Sequence, residues 1–249
     1  MLRPSNDFTG LRLLATDGEV GDLQDFVVDV STWEVRYAVV RVGSFLRRKQ
    51  VLISTAVMEA PNWEKEVIPV PHTVAQINAA PTLRDIPPIT REMEWRLHQH
   101  FSWVPYWAPG ADGEPSVLPQ AAGMGDMLDP SQAENPTLYL LTDMVDFDIV
   151  ARGKVVGMLR DAIFNLNSWH TDWIVVERSV LKGGTLLPTE WVASVEWGDS
   201  AVLVDVPSEA VSSAPPYIED WSRADIAAEY VEAVFRHYQQ WTQDVSDRG

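Results

Sequence analysis

Cysteine is absent from the 249-residue chain. That excludes disulfides, thiolate nucleophiles, Cys-based zinc sites and iron–sulfur clusters together. Basic residues are scarce: 19 Lys and Arg stand against 36 Asp and Glu, a net charge of −17. Nucleic-acid affinity rests largely on Lys and Arg displacing counterions, and anionic membranes attract the same residues. Neither partner is therefore expected. No uninterrupted run of about 18 apolar residues occurs. The opening MLRPSNDFTGLRLL lacks an apolar core of signal-peptide length. These absences lead us to expect a soluble, cytoplasmic protein without membrane insertion. H-E-x-x-H, G-x-S-x-G and Walker A patterns are missing too.

What is present is a repeat. LLATDGEVGDLQDFVVDVSTWEVRYAVVRV begins at Leu13, and IVARGKVVGMLRDAIFNLNSWHTDWIVVER begins at Ile149. At a constant shift of 136 positions, Gly21 meets Gly157, Asp25 meets Asp161, Trp33 meets Trp169 and Tyr37 meets Trp173. VLIS from Val51 faces LLPT from Leu186 at a shift of 135, and Val70-Pro71 faces Val206-Pro207 at 136. Trp63 with Trp197, and Trp107 with Trp241, fall at 134. One register held over a strand-rich block signals duplication. The domains expected are residues 1–107, an acidic Pro/Gly-rich linker over 108–136 without Lys or Arg, and residues 137–249.

Within repeat 1, strands are expected over Val20–Val30, Val35–Val42, Gln50–Ser54 and Val67–Val70. In repeat 2 they are expected over Val155–Leu166, Trp173–Arg178, Thr185–Leu187 and Ala201–Val206. Gly21 interrupts its strand, as at a bulge or barrel bend. Each repeat ends in a helix. Thr90 caps a stripe of Met93, Leu97, Phe101 and Val104. Ser222 caps one of Ile226, Tyr230, Val234, Tyr238 and Trp241. The fold class expected is mainly β with α: two tandem small antiparallel β-barrels, each followed by an amphipathic helix.

The motifs EVGDLQDFVVD from Glu19 and VVGMLRDAIFN from Val155, with VLIS, LLPT and the helical tails, resemble the PRC-barrel family. This module is shared by the H subunit of photosynthetic reaction centres and by RimM-type ribosome-maturation proteins. The resemblance implies PRC-type barrels and no catalytic residues or cofactor.

Individual residues point the same way. Asp25 and Asp161 occupy equivalent places, so each is expected to bond nearby backbone amides rather than form a paired acid site. His98 and His100 lie two apart, and residues so spaced on a helix do not share a face for a metal. Asp143, Asp146 and Asp148 lack the pattern of a calcium loop. The tryptophans that recur between the repeats read as packing anchors. The segment Trp103-Val-Pro-Tyr-Trp107 reads as an exposed aromatic patch. Arg47, Arg48 and Lys49 form the one basic run.

Trp103, Tyr106, Trp107, Arg47, Arg48 and Lys49 are accordingly the candidate protein-binding residues, with no catalytic, cofactor or metal residues expected. The expected function is that of a non-enzymatic adaptor or scaffold with an unidentified protein partner, in a chain that could form a homodimer. The alternatives are a small-ligand binder or enzyme with a site between the repeats, and a ribosome-maturation-like factor.

Overall fold

The computed structural model describes residues 1–43, 48–83, 89–108, 137–178, 183–217 and 226–246. The linker beyond Ala108, Arg47 and the Ser222 cap lie outside the described residues. The chain is mainly β with helices. The strands are β1 (Leu2–Pro4), β2 (Arg12–Ala15), β3 (Gly18–Asp29), β4 (Glu34–Val42), β5 (Lys49–Ser54), β6 (Val67–Pro69) and β7 (Leu138–Leu140), then β8 (Asp148–Ala151), β9 (Lys154–Asn165), β10 (His170–Glu177), β11 (Gly184–Pro188), β12 (Val192–Glu196) and β13 (Ala201–Val204). The helices are α1 (Val74–Ala79), α2 (Arg91–Phe101), α3 (Leu141–Met144), α4 (Ser208–Ser213) and α5 (Ala228–Ser246). Among the described residues, no helix is long and apolar enough to cross a membrane.

Two compact units emerge. The first comprises Phe8–Asp29 and Arg36–Leu140; the second comprises Met1–Asp7, Val30–Val35 and Leu141–Gly249. In the first, the hydrogen-bonded strand path runs β5-β4-β3-β2-β6. In the second it runs β11-β10-β9-β8-β13-β12. Corresponding strands keep corresponding neighbours, as duplication requires. Each path has two ends among the described residues, so the hydrogen bonding is that of an open sheet and not of a closed barrel. The sheets are also mixed rather than wholly antiparallel, because β2–β6 and β8–β13 pair in parallel. In both cases the partners are far apart in sequence, which is what a parallel crossover demands.

The units are discontinuous in sequence because one short strand of each comes from outside its repeat. In the second unit, β1 pairs with the end of β9, setting Leu2 opposite Asn165. In the first unit, β7 pairs with the end of β3, setting Leu138 opposite Asp29. Leu2 and Leu138 are 136 positions apart, so β1 and β7 are themselves repeats of one another.

The repeated glycines have a steric cause. A Cβ on Gly21 would run into the Arg41 carbonyl oxygen, and one on Gly157 into the Glu177 carbonyl oxygen, again 136 positions on. The adjoining registers skip Val20 opposite β2 and Val156 opposite β8, which are the expected bulges. The strand pairings also correct the repeat alignment. Tyr37 pairs with Ser54 and Trp173 with Pro188, so VLIS and its partner are related by 134 positions, not 135. Val70 likewise corresponds to Val204, not Val206, because Ile68 and Val202 lie opposite the equivalent Leu13 and Ile149. The equivalent pairs Arg41–Gln50 and Glu177–Gly184 enclose stretches that differ by two residues, which accounts for the change.

The central strands are buried over consecutive residues, as in strands covered on both faces, rather than in alternation. Leu13, Leu23, Phe26, Leu52 and Ile53 are buried in the first unit, and Leu159, Ile163, Phe164, Ile174 and Leu186 in the second. At about 25 cal/mol per Å² of apolar surface, each such side chain contributes roughly 1.5–3 kcal/mol.

Candidate functional site

Helix α2 begins where the sequence places it, with the Thr90 hydroxyl accepting from the Met93 amide. Its buried face is Glu94, Leu97, His98 and Phe101, the i, i+3, i+4, i+7 set. Two of these four are polar, and both meet the first unit's Tyr37 from β4. Tyr37 Oη donates to Glu94 Oε1 at 2.9 Å. His98 Nε2 lies 2.8 Å from the same hydroxyl. With the phenolic hydrogen given to Glu94, the imidazole is the donor in that contact. His100 points away from this face to the Gln76 carbonyl oxygen, 2.9 Å distant, so the two histidines do not converge.

The chain then folds back over the helix. Ser102 sits in the left-handed region (φ 57°, ψ 35°) and ends α2. Trp103 stacks on Phe101, with centroids 4.3 Å apart and planes at 14°. Its indole Nε1 donates to His72 Nε2 at 3.2 Å. Tyr106 Oη donates to Glu94 Oε1 at 2.9 Å and accepts from Arg91 Nη1 at 2.9 Å. Arg91 Nη1 also reaches Glu94 Oε2 at 2.7 Å. The Arg36 guanidinium lies 3.8 Å from the Tyr106 ring centroid, and that of Arg91 lies 4.2 Å from the Trp107 centroid.

This packing corrects the expected exposed patch. Trp103 is buried, and Tyr106 and Trp107 are half-buried against α2, because the turn at Ser102 returns the segment to the helix, where Tyr106 meets the Glu94 carboxylate. In the basic run, Lys49 donates to the Ala80 carbonyl oxygen at 3.1 Å and Arg48 is exposed.

Burial dominates the electrostatics. It pushes the Glu94 carboxyl up, against the Arg91 charge and the hydrogen bonds from Tyr37 and Tyr106. It drives the His98 imidazole down to about 4, and raises the hydroxyls of Tyr37 and Tyr106. Such shifts accompany active sites and structural networks alike. Here Tyr37 and Glu94 are each 1% exposed, so no substrate reaches them. The cluster is a buried pin that holds α2 and the returning segment to β4.

Asp25 and Asp161 behave as the repeat suggests. Each accepts from the following backbone amide, Phe26 or Ala162, at 2.7 Å. Asp161 also accepts from the Ser5 hydroxyl and from Asn6 Nδ2, and burial raises it to about 6. Asp146 is engaged by Arg160. Among the described residues, no three His, Asp or Glu side chains gather as a metal site.

The second unit carries an open cleft of about 840 Å³. One wall is α5, through Val231 and Phe235; another is the sheet, through Trp173, Asp172 and the end strand β12. Trp33 and Leu2 complete it. Trp33 is held by hairpin-tip pairing, in which the Val35 amide donates to the Trp169 carbonyl at 2.7 Å and the Thr171 amide to the Trp33 carbonyl at 2.8 Å. Both tryptophans take the left-handed conformation (φ 59° and 53°), a costly state for so bulky a residue. Within the cleft, His170 Nδ1 contacts Asp172 Oδ1 at 2.9 Å and Asn165 Nδ2 donates to Asp172 Oδ2 at 3.1 Å.

The cleft and the pin occupy corresponding places in their units. Trp173 stands for Tyr37 and Asp172 for Arg36. Thr189 stands for Thr55, since their hydroxyls bond the carbonyls of Asp172 and Arg36 respectively, each at 3.3 Å. His237 Nε2 contacts the Ala210 carbonyl oxygen of α4 at 2.8 Å, as His100 contacts Gln76 of α1. This aligns the two long helices at 137 positions: Leu97 with Val234, Glu94 with Val231, and His98 with Phe235. The polar pair is thus replaced by two apolar residues, and among the described residues no segment folds back, because α5 remains helical to Ser246. His98 is 4% exposed, whereas Phe235 is 43% exposed.

The apolar-stripe reading overlooked Glu94 and His98 because it counted only hydrophobic residues. A visible signal for the cleft was Phe235 itself, an aromatic off the stripe of Ile226, Tyr230, Val234 and Tyr238. No protein-family model matches the chain, and no curated protein does either.

Proposed function

We propose that the chain is a non-enzymatic tandem PRC-barrel protein that acts as a protein-binding adaptor, with the cleft of the second unit as its docking surface. The exposure of Phe235 on α5, beside the half-buried Val231 in a cleft that Trp173 also lines, carries this reading. Contiguous exposed apolar surface marks interaction sites, and aromatic anchors supply most interface energy. The family part rests on the repeated Gly and Asp motifs, which occupy corresponding bulged strands in both units. A photo-crosslinking phenylalanine analogue at position 235 is expected to yield discrete protein adducts in extract of the native cell. The same probe at Val155, 62% exposed and outside the cleft, is expected to yield none. Identical adduct patterns would remove the reading.

The His170–Asp172 contact favours a second reading, a small-ligand or catalytic site in the same cleft. An Asp that orients an imidazole is half of a general-base arrangement. A turnover or ligand-binding signal abolished by His170→Gln, with the Phe235 adducts unchanged, would support it over the adaptor.

A further inference from the structure

The two units differ at one place in a way that specifies a ligand. In the first, the surface formed by Arg36, Tyr37 and α2 is covered by the chain's own aromatic segment, with Tyr106 lying under the Arg36 guanidinium. In the second, no described segment covers the corresponding surface of Asp172, Trp173 and α5: Phe235 is exposed, Asp172 and Val231 are half-buried, and Trp173 is buried except where it lines the cleft. Among the described residues the cover is missing because α5 does not turn where α2 turns at Ser102. The receiving walls have changed to match. Glu94 and His98, which satisfy the cover's hydroxyl and pack against its rings, have become Val231 and Phe235. Arg36, which supplies a cation to the covering ring, has become Asp172.

We propose that the cleft binds, in trans, an extended peptide segment of a partner protein. That segment carries a large aromatic side chain in the role of Tyr106 and a Lys or Arg next to it. Resting on the adaptor reading, the proposal adds the chemistry of the partner. The aromatic ring fills the space between Trp173 and the Val231–Phe235 face, where no buried carboxylate now demands a hydroxyl. The cation belongs to the ligand because its place on the wall is taken by Asp172. Glu190 on the rim adds a second negative charge, and no Lys or Arg lines the cleft among the described residues. A ligand cation beside the ring restores, with its polarity reversed, the charge complementarity that Arg36 provides in the first unit. The third wall includes β12, an end strand of the sheet with Ala193 exposed. An extended segment can therefore pair its backbone there, as in β-strand addition.

The probe is a fluorescein-labelled peptide with the sequence of residues 102–107 and two lysines at each end, titrated by anisotropy into the full chain. Saturable binding is expected. It should weaken at least ten-fold with Phe235→Glu, with Glu190→Lys, with alanine for the peptide's aromatics, and with glutamate for its lysines. Val155→Glu should leave it unchanged. Glu190 is exposed, so Glu190→Lys tests the cleft without disturbing the core. Absent binding, or binding indifferent to both cleft variants, overturns the proposal. So does a concentration-dependent self-association abolished by Phe235→Glu, which would assign the cleft to a second copy. If the peptide fails while position 235 still crosslinks to discrete proteins, the ligand chemistry falls and the adaptor stands; if both fail, both fall.

Discussion

Tyr37 and Glu94 are joined by a 2.9 Å hydrogen bond across 57 positions of chain, and both side chains are buried. Removing the carboxylate strands Arg91 and leaves two phenols without their acceptor. Glu94→Ala is expected to cost about 3–5 kcal/mol, the range for breaking one side of a buried ion pair. Tyr37→Phe, which removes one hydroxyl, is expected to cost about 1–3 kcal/mol. Urea denaturation of each variant measures both, and a loss under about 1 kcal/mol for Glu94→Ala would show that the network is not a pin.

The pH dependence has two components of opposite sign. His98 is held at about 4 in the native state against 6.5 when free. The unfolded chain therefore takes up its proton first on acidification. Stability from this group is full above 6.5 and falls by roughly 3 kcal/mol as pH drops to 4. Asp161 is raised to about 6 from 3.8. The native state takes up that proton first, so stability from this group rises by roughly 2 kcal/mol between pH 6 and 4. The raised Glu94 adds to the second trend. Stability curves from pH 7 to 4 should separate the components: relative to wild type, His98→Gln gains on acidification and Asp161→Asn loses. Parallel curves for all three proteins would contradict the assignment.

Gly21→Ala and Gly157→Ala are expected to be comparably destabilising, by about 1–3 kcal/mol or more, because each methyl meets a backbone carbonyl that a side-chain rotation cannot move aside. Thermal denaturation checks the pair. A neutral result at either site would mean that the strands can separate there.

Deleting residues 1–7 takes β1 from β9 and the Ser5 and Asn6 donors from Asp161. Hydrogen exchange of the Leu166 amide, which donates to the Met1 carbonyl oxygen at 3.0 Å, is expected to accelerate, while that of Val27 to Asp29 in β3 stays slow. Equal protection before and after deletion would show that β1 is dispensable.

Much of this architecture was legible as sequence. The glycine and aspartate repeats, the long strands and the Thr90 cap are local signals, and they mark real elements. What escaped was non-local or lay outside the apolar pattern. Strands β1 and β7 are three residues each, too short for any periodicity, and nothing in Leu2–Pro4 discloses a partner at Ile163–Asn165. Trp103 looked exposed because nothing in the sequence discloses that Ser102 would adopt a left-handed turn. That the cleft corresponds to the buried pin could be recognised only once His100 and His237 had fixed the helix alignment.

The exchanged strands carry a consequence for how such a chain could arise. Each repeat gives its short strand to the other's unit, so two separate copies of one repeat making the same pairings would have to trade strands between molecules. Such an exchange is second order and fails on dilution. Joining two copies in one polypeptide makes the trade intramolecular, replacing the bulk concentration with the effective concentration that the tether sets. The duplication thus converts a concentration-limited assembly into one that every newly made chain can complete by itself.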